Sequence, residues 1–128
     1  MRRSILTLWG PFFAALAAVF WLSSLTDVPG ARYFWDKLLH MVGYAGLGVL
    51  ALRAFHGGFE RPRPAPTTYA AVAVILWGVS DEFHQSFVPG RDASAWDVLA
   101  DAVGFALAFA VVLLATATLR AVGAKRPR

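Results

Sequence analysis

Apolar residues gather into four runs, each closed by polar residues or by turn-forming Gly and Pro. The first and longest, residues 4–26, has 23 positions without a charge, enough for the about 20 residues of a membrane-crossing helix. The second covers residues 38–52 and extends to 34–55 if Asp36, Lys37 and His40 lie at its mouth. The third is residues 67–86 and the fourth about 95–119. Runs two to four are short of about 20 strictly apolar residues, so polar groups must enter the membrane at one end of each. Turn signals separate the runs: Val28-Pro29-Gly30, the Gly/Pro/Arg segment 56–66, and Val88-Pro89-Gly90-Arg91. The pattern predicts an all-α, four-transmembrane-helix bundle, with residues 1–128 forming a single domain. There is no internal repeat, heptad pattern or long low-complexity tract. Arg2-Arg3 before the first run resembles a signal peptide, but the run exceeds the usual ~7–15-residue core and no clean cleavage site follows, so a retained helix is expected.

Composition agrees with a membrane protein. Hydrophobic residues are 58% and charged residues 16% of 128, against roughly 45–50% and 25% in soluble domains. The absence of cysteine excludes disulfides, thiolate metal sites and cysteine nucleophiles. A net charge of +4 would suit nucleic acid, but the basic residues mostly flank apolar runs, so the bilayer is the expected partner and nucleic acid is not. With four spans, Arg2, Arg3, Arg53, Arg61, Arg63, Arg120, Lys125, Arg126 and Arg128 fall on one side, and only Arg32, Lys37 and Arg91 on the other. That asymmetry predicts a multi-pass protein of the cell membrane with both termini cytoplasmic. Loops 27–37 and 87–94 then face outward.

Seven acids, Asp27, Asp36, Asp81, Glu82, Asp92, Asp97 and Asp101, lie at or just below that outer face, and only Glu60 lies opposite. Embedded ionisable groups usually face a bundle interior or a watery cavity. At 1.5 Å per residue, Glu82 is about 9 Å below a helix end near Val88, and Asp101 about 10 Å inside a start near Ser94. Three helices thus carry polar groups to one depth, which predicts a shared outward cavity where Asp36, His40, Glu82, Gln85, Arg91 and Asp97 meet. Asp36, His40 and Tyr44 share one helical face, as do Asp97 and Asp101, whose stripe continues with Gly104 and Ala108 for close helix approach. Asp81 reaches His84 and Gln85 at helical spacing.

Structural alternatives stand beside each reading. Asp97 follows Ser94 at capping-box spacing, and Asp36 and Lys37 suit interfacial anchors. His40 could be an interfacial histidine, and His56 an inert loop residue. Gly43, Gly46 and Gly48 read as packing positions, and Trp9, Trp21, Trp35, Trp77 and Trp96 as belt anchors. The candidate acid–base residues are His40, Glu82 and His84. Asp36, Lys37, Gln85, Arg91, Asp97 and Asp101 are the candidate binding residues. Arg91, beyond the Pro-Gly turn, is expected to reach Glu82 directly or through a bound anion, and to hold an anionic head group. A metal set of His40, Glu82, His84 and a further carboxylate is weighed, but no HExxH-type spacing appears, so neither metal nor cofactor is expected.

The stretches Asp36-Lys37-Leu38-Leu39-His40, Asp81-Glu82-Phe83-His84-Gln85-Ser86-Phe87-Val88-Pro89-Gly90-Arg91 and Asp97-Val98-Leu99-Ala100-Asp101-Ala102-Val103-Gly104 resemble the VanZ-like family over about residues 33–120. Asp101 departs from the pattern, where the family more often has Asn. The resemblance implies a small four-helix bacterial membrane protein. The family's founding member is associated with low-level resistance to teicoplanin, a lipid-bearing glycopeptide that attacks peptidoglycan precursors outside the cell. Cell-envelope lipids, lipid-linked cell-wall precursors and glycopeptides are therefore the implied ligands. Two functions follow: a membrane-embedded enzyme acting on such a molecule, or a non-catalytic envelope module with a satisfied polar network. Export by an oligomer ranks last, because coupled exporters need an ionisable residue near mid-membrane and residues 4–26 have none.

Overall fold

Each apolar run forms one helix: α1 (Ile5–Ser23), α2 (Tyr33–Phe55), α3 (Pro64–Gln85) and α4 (Ala95–Ala124). The structure is a computed structural model describing residues 4–26 and 33–124. Arg2, Arg3, Asp27, the Val28-Pro29-Gly30 turn, Arg32, Lys125, Arg126 and Arg128 lie outside the described residues. Local chemistry sets the helix ends. Ser4 Oγ accepts from the Thr7 N–H at 3.2 Å and caps α1. Pro64 opens α3, where a missing N–H is harmless. Beyond α2, Gly57 takes φ 73° while the Gly58 N–H reaches Arg53 O at 2.8 Å and the Gly57 N–H reaches Ala54 O at 3.2 Å, the paired bonds of a glycine-terminated helix.

Three helices, α1, α2 from Trp35 onward, and α4, are long and apolar enough to cross a membrane. The third run was expected to match them and falls short. α3 has 22 residues but opens on Pro64-Ala65-Pro66-Thr67-Thr68 and closes on Asp81-Glu82-Phe83-His84-Gln85, which leaves only its middle strongly apolar. Its polar end is covered by protein: Asp81, Glu82 and Gln85 are buried.

α2 and α4 form the axis of the bundle. A Cβ on Gly104 would lie 2.3 Å from Met41 O and 2.9 Å from Ala45 N, so only glycine permits this crossing. One turn along, a Cβ on Gly48 would lie 2.9 Å from Ala108 Cβ and 3.2 Å from the Phe105 ring, whereas Gly43 and Gly46 have open space around them. Tyr44, Leu47, Ala51 and Leu52 of α2 pack with Ala70 and Val74 of α3 and Phe105, Ala108 and Val112 of α4. α1 is peripheral, burying only Phe12 and Ser23 among the described residues.

At the end of the bundle that holds the start of α1, two polar side chains serve the backbone. Pro11 has no N–H to give Thr7 O, and Arg53 supplies the missing donor: Nη2 to Thr7 O at 2.7 Å, Nη1 to Leu8 O at 3.1 Å. Trp9 and Phe12 pack on Phe55 beside it, with ring centroids 4.9 and 6.4 Å apart. His56, read from the sequence as inert, is a buried staple. Its Nδ1 donates to Leu52 O at 2.9 Å, and its Nε2 accepts the Arg63 N–H at 2.9 Å, joining the end of α2 to the start of α3. Trp77 also departs from the belt-anchor reading: it packs against the core with its Nε1 buried.

Candidate functional site

The end of α1, the start of α2, the end of α3 and the start of α4 converge, and α3's last turn is the hub. Asp81 Oδ1 accepts from Ser23 Oγ at 2.6 Å, tying α1 to α3. Asp81 Oδ2 accepts from Gln85 Nε2 at 3.1 Å, and the same amide nitrogen lies 3.4 Å from Glu82 Oε1. Gln85 then turns its Oε1 to Arg91, whose Nε donates at 3.1 Å. Arg91 Nη1 is also 3.9 Å from Asp36. The expected direct Arg91–Glu82 contact is not formed, because Gln85 stands between them.

Glu82 is occupied elsewhere. Its Oε2 accepts the Ser94 N–H at 2.7 Å, the bond that the third residue of a capping box would take. A carboxylate from α3 therefore caps α4, and Asp97 is released from the role its spacing suggested. Asp97, 1% exposed, accepts instead from Lys37 Nζ at 2.7 Å. One turn deeper, fully buried Asp101 meets His40 Nδ1 at 2.9 Å. With Asp101 ionised, Nδ1 carries the proton and Nε2 faces Glu82 Oε1, 3.7 Å away. Gly78 makes room for Asp101: a Cβ there would be 2.5 Å from Oδ2. Asp101 Oδ2 and the Tyr44 hydroxyl, both buried, have no hydrogen-bond partner among the described residues.

His84 stands apart. Its Nε2 is 3.0 Å from Ser24 Oγ and its ring lies 4.4 Å from that of Phe20, on the α1 side of α3. It lines a separate aromatic pocket of 220 Å³ with Phe20, Trp77 and Phe87. Side chains two apart on a helix point in nearly opposite directions, so Glu82 and His84 cannot serve one substrate from the same side.

Two cavities adjoin the cluster. One is a cleft of 340 Å³ between α1 and α2, walled by Val19, Leu22, Leu39 and Val42, with His40 and Asp81 at its polar side. The other is a polar chamber of 380 Å³ at the loop before α4, bounded by Lys37, Asp92, Ser94 and Asp97. Asp36, Gln85 and Arg91 line both. Each is at the small end of the roughly 300–1,000 Å³ of ligand pockets. Asp36, His40 and Asp97 offer ligand atoms within 4.8 Å of one another and could hold a metal ion. This differs from the set weighed from sequence, since His84 is excluded, and the Lys37 ammonium already sits on Asp97.

A family model described as VanZ/LLP1 matches residues 4–116. The chain belongs to the VanZ/LLP1 family. The match begins before α1, so VanZ/LLP1 membership covers the peripheral helix as well as the motif-bearing segments. Comparison with curated proteins and with solved structures gives no match.

Within this VanZ/LLP1 bundle, Asp36, Lys37, His40, Glu82, Gln85, Arg91, Asp97 and Asp101 stand at one end, and His84 faces away. Sequence reading did not assign Ser23, the Ser94 N–H or Gly78 to the site. Ser23-Ser24 closing an otherwise apolar run was the available signal for α1. Nothing local marks Gly78, whose role exists only against a neighbouring helix.

Proposed function

We propose that this VanZ/LLP1 chain is a multi-pass protein of the bacterial cell membrane, with four spans and both termini cytoplasmic. In this reading its acid-rich end is an outward-facing site for a cell-envelope amphiphile, such as a lipid-linked cell-wall precursor or a lipid-bearing glycopeptide. One observation carries the proposal: the polar chamber and the apolar cleft share Asp36, Gln85 and Arg91 as a common wall. A molecule with a polar head and an apolar tail fits that pairing of environments better than one that is wholly polar or wholly apolar. Burial of the polar end of α3 supports a fourth span, since the groups that would be costly in lipid are sheltered by protein.

A second reading, acid–base chemistry on the bound head group, is favoured by the His40–Asp101 contact at 2.9 Å. A carboxylate on Nδ1 fixes the ring and strengthens Nε2 as a base, and Nε2 points into the cluster beside Glu82.

The test is a comparison of envelope lipids and cell-wall precursors in cells carrying the parent, Asp36→Asn, or no protein. The proposal expects the parent to change the level of one amphiphile and Asp36→Asn to resemble the empty strain. Identical extracts from all three overturn it. Because the sequence has no cysteine, sidedness can be read in the same cells. Asp92→Cys should react with an impermeant maleimide in intact cells, and Gly58→Cys only after permeabilisation.

A further inference from the structure

The charge of the cluster indicates which kind of head group it receives. Among the described residues, Asp36, Asp81, Glu82, Asp97 and Asp101 stand around two permanent cations, Lys37 and Arg91, with His40 as a titratable base beside them. Both cations are engaged: Lys37 on Asp97 at 2.7 Å, Arg91 on Gln85 at 3.1 Å and near Asp36 at 3.9 Å. Asp92 adds a further acid to the chamber wall. An anionic head would add to this excess and compete for cations already in use. An ammonium head, with three N–H donors, would allow the carboxylates to remain ionised. Asp36 is the best placed to receive it. It lines both cavities, and among the described residues its nearest cation, Arg91, is at 3.9 Å, beyond hydrogen-bonding distance.

The cleft suggests the route. Leu22 of α1 and Leu39 and Val42 of α2 form its rim and are 51%, 53% and 61% exposed, on helices apolar enough to face lipid. The opening is therefore lateral, between the peripheral α1 and α2. Tyr44 lines the same cleft with its ring, and its buried hydroxyl has no hydrogen-bond partner among the described residues. Gly43 also lines it, and a Cβ there would meet nothing within 4 Å, so a larger side chain can fill the cleft without disturbing the bundle.

We propose that the ligand is an amphiphile with an ammonium head, entering sideways between α1 and α2, laying its chain beside Gly43 and setting its head on Asp36. This deepens the amphiphile reading and rests on it. The test uses the full chain in lipid nanodiscs and a photoreactive dodecylammonium probe, with cross-linking measured by intact mass. Dodecylammonium should displace the probe at about tenfold lower concentration than dodecyl phosphate, with or without magnesium, than dodecyl maltoside, or than methylammonium, equivalent to a tenfold difference in affinity. Gly43→Leu should lower labelling about tenfold, while Gly46→Leu, one turn along in equally open space but outside the cleft, should label like the parent. Asp36→Asn should remove the preference for ammonium over phosphate. Thermal unfolding of each variant establishes that labelling is compared between folded proteins. Dodecyl phosphate competing as well as dodecylammonium, in either magnesium condition, overturns the head-group assignment while leaving the amphiphile reading intact. Methylammonium competing equally, Gly43→Leu labelling like the parent, or no competitor displacing the probe each overturns the chain-in-cleft arrangement. The envelope-lipid comparison judges the broader reading independently.

Discussion

The two ends of the bundle treat polar groups in opposite ways. At the Arg53 end two side chains serve the backbone: the guanidinium replaces the donor missing at Pro11, and His56 uses both ring nitrogens on main-chain groups. At the acid-rich end the groups outnumber their tasks. Gln85 is shared among Asp81, Glu82 and Arg91, while Asp101 Oδ2, the Tyr44 hydroxyl and, one turn from Asp81, Trp77 Nε1 have no partner among the described residues. Saturated local bonding is what architecture requires, and a buried polar atom without a partner carries a penalty of about 1–3 kcal/mol that architecture alone does not explain. The difference separates a structural clasp from a candidate site within one small fold.

Substitutions at the clasp should act on stability. Arg53→Met leaves the Thr7 carbonyl without a donor and should lower unfolding stability by about 2–3 kcal/mol in detergent, the range for bonds to charged groups. Adding Pro11→Ala restores the helical N–H to Thr7 O and should recover most of that loss; additivity instead of recovery would show that Arg53 does not serve the Pro11 defect. Next in size, His56→Phe removes both main-chain contacts and should lower stability by about 1–2 kcal/mol, measured by thermal unfolding, with ligand retention unchanged.

At the other end the effects should reverse. Gly78→Ala, which would bring a Cβ within 2.5 Å of Asp101 Oδ2, should turn Asp101 away from His40 and reduce ligand retention, with a stability change of about 1 kcal/mol. Asp36→Asn should change stability least, within about 0.5 kcal/mol, because its one ionic partner among the described residues is Arg91 at 3.9 Å. A large stability loss there would place Asp36 with the clasp residues.

The four helices were legible because each is marked by an apolar run closed by polar or turn residues, which needs no knowledge of neighbours. Their ends were less so: α3 starts at Pro64, earlier than the apolar run, because proline is accepted in a first turn. Site membership was legible too, since polar groups near one helix end on three neighbouring helices have few places to go. The pairings were not. Capping-box spacing pointed Asp97 at its own helix, but Glu82 from α3 takes that bond, a substitution visible only once the helices are packed. His84 could have been separated from Glu82 by helical geometry, because positions two apart do not share a face. Arg91 could not have been assigned to Gln85, since the loop after Pro89 sets its direction.

The most direct test of the division between clasp and site is the amount of amphiphile retained per protein, measured by quantitative mass spectrometry of chains purified under one gentle protocol. Parent and Arg53→Met should carry the same amphiphile in similar amount, despite the lower stability of Arg53→Met, and Asp36→Asn should carry about a tenth as much while unfolding at the parent's temperature. Asp36→Asn retaining the full amount, or Arg53→Met losing it while still folded, would contradict the account.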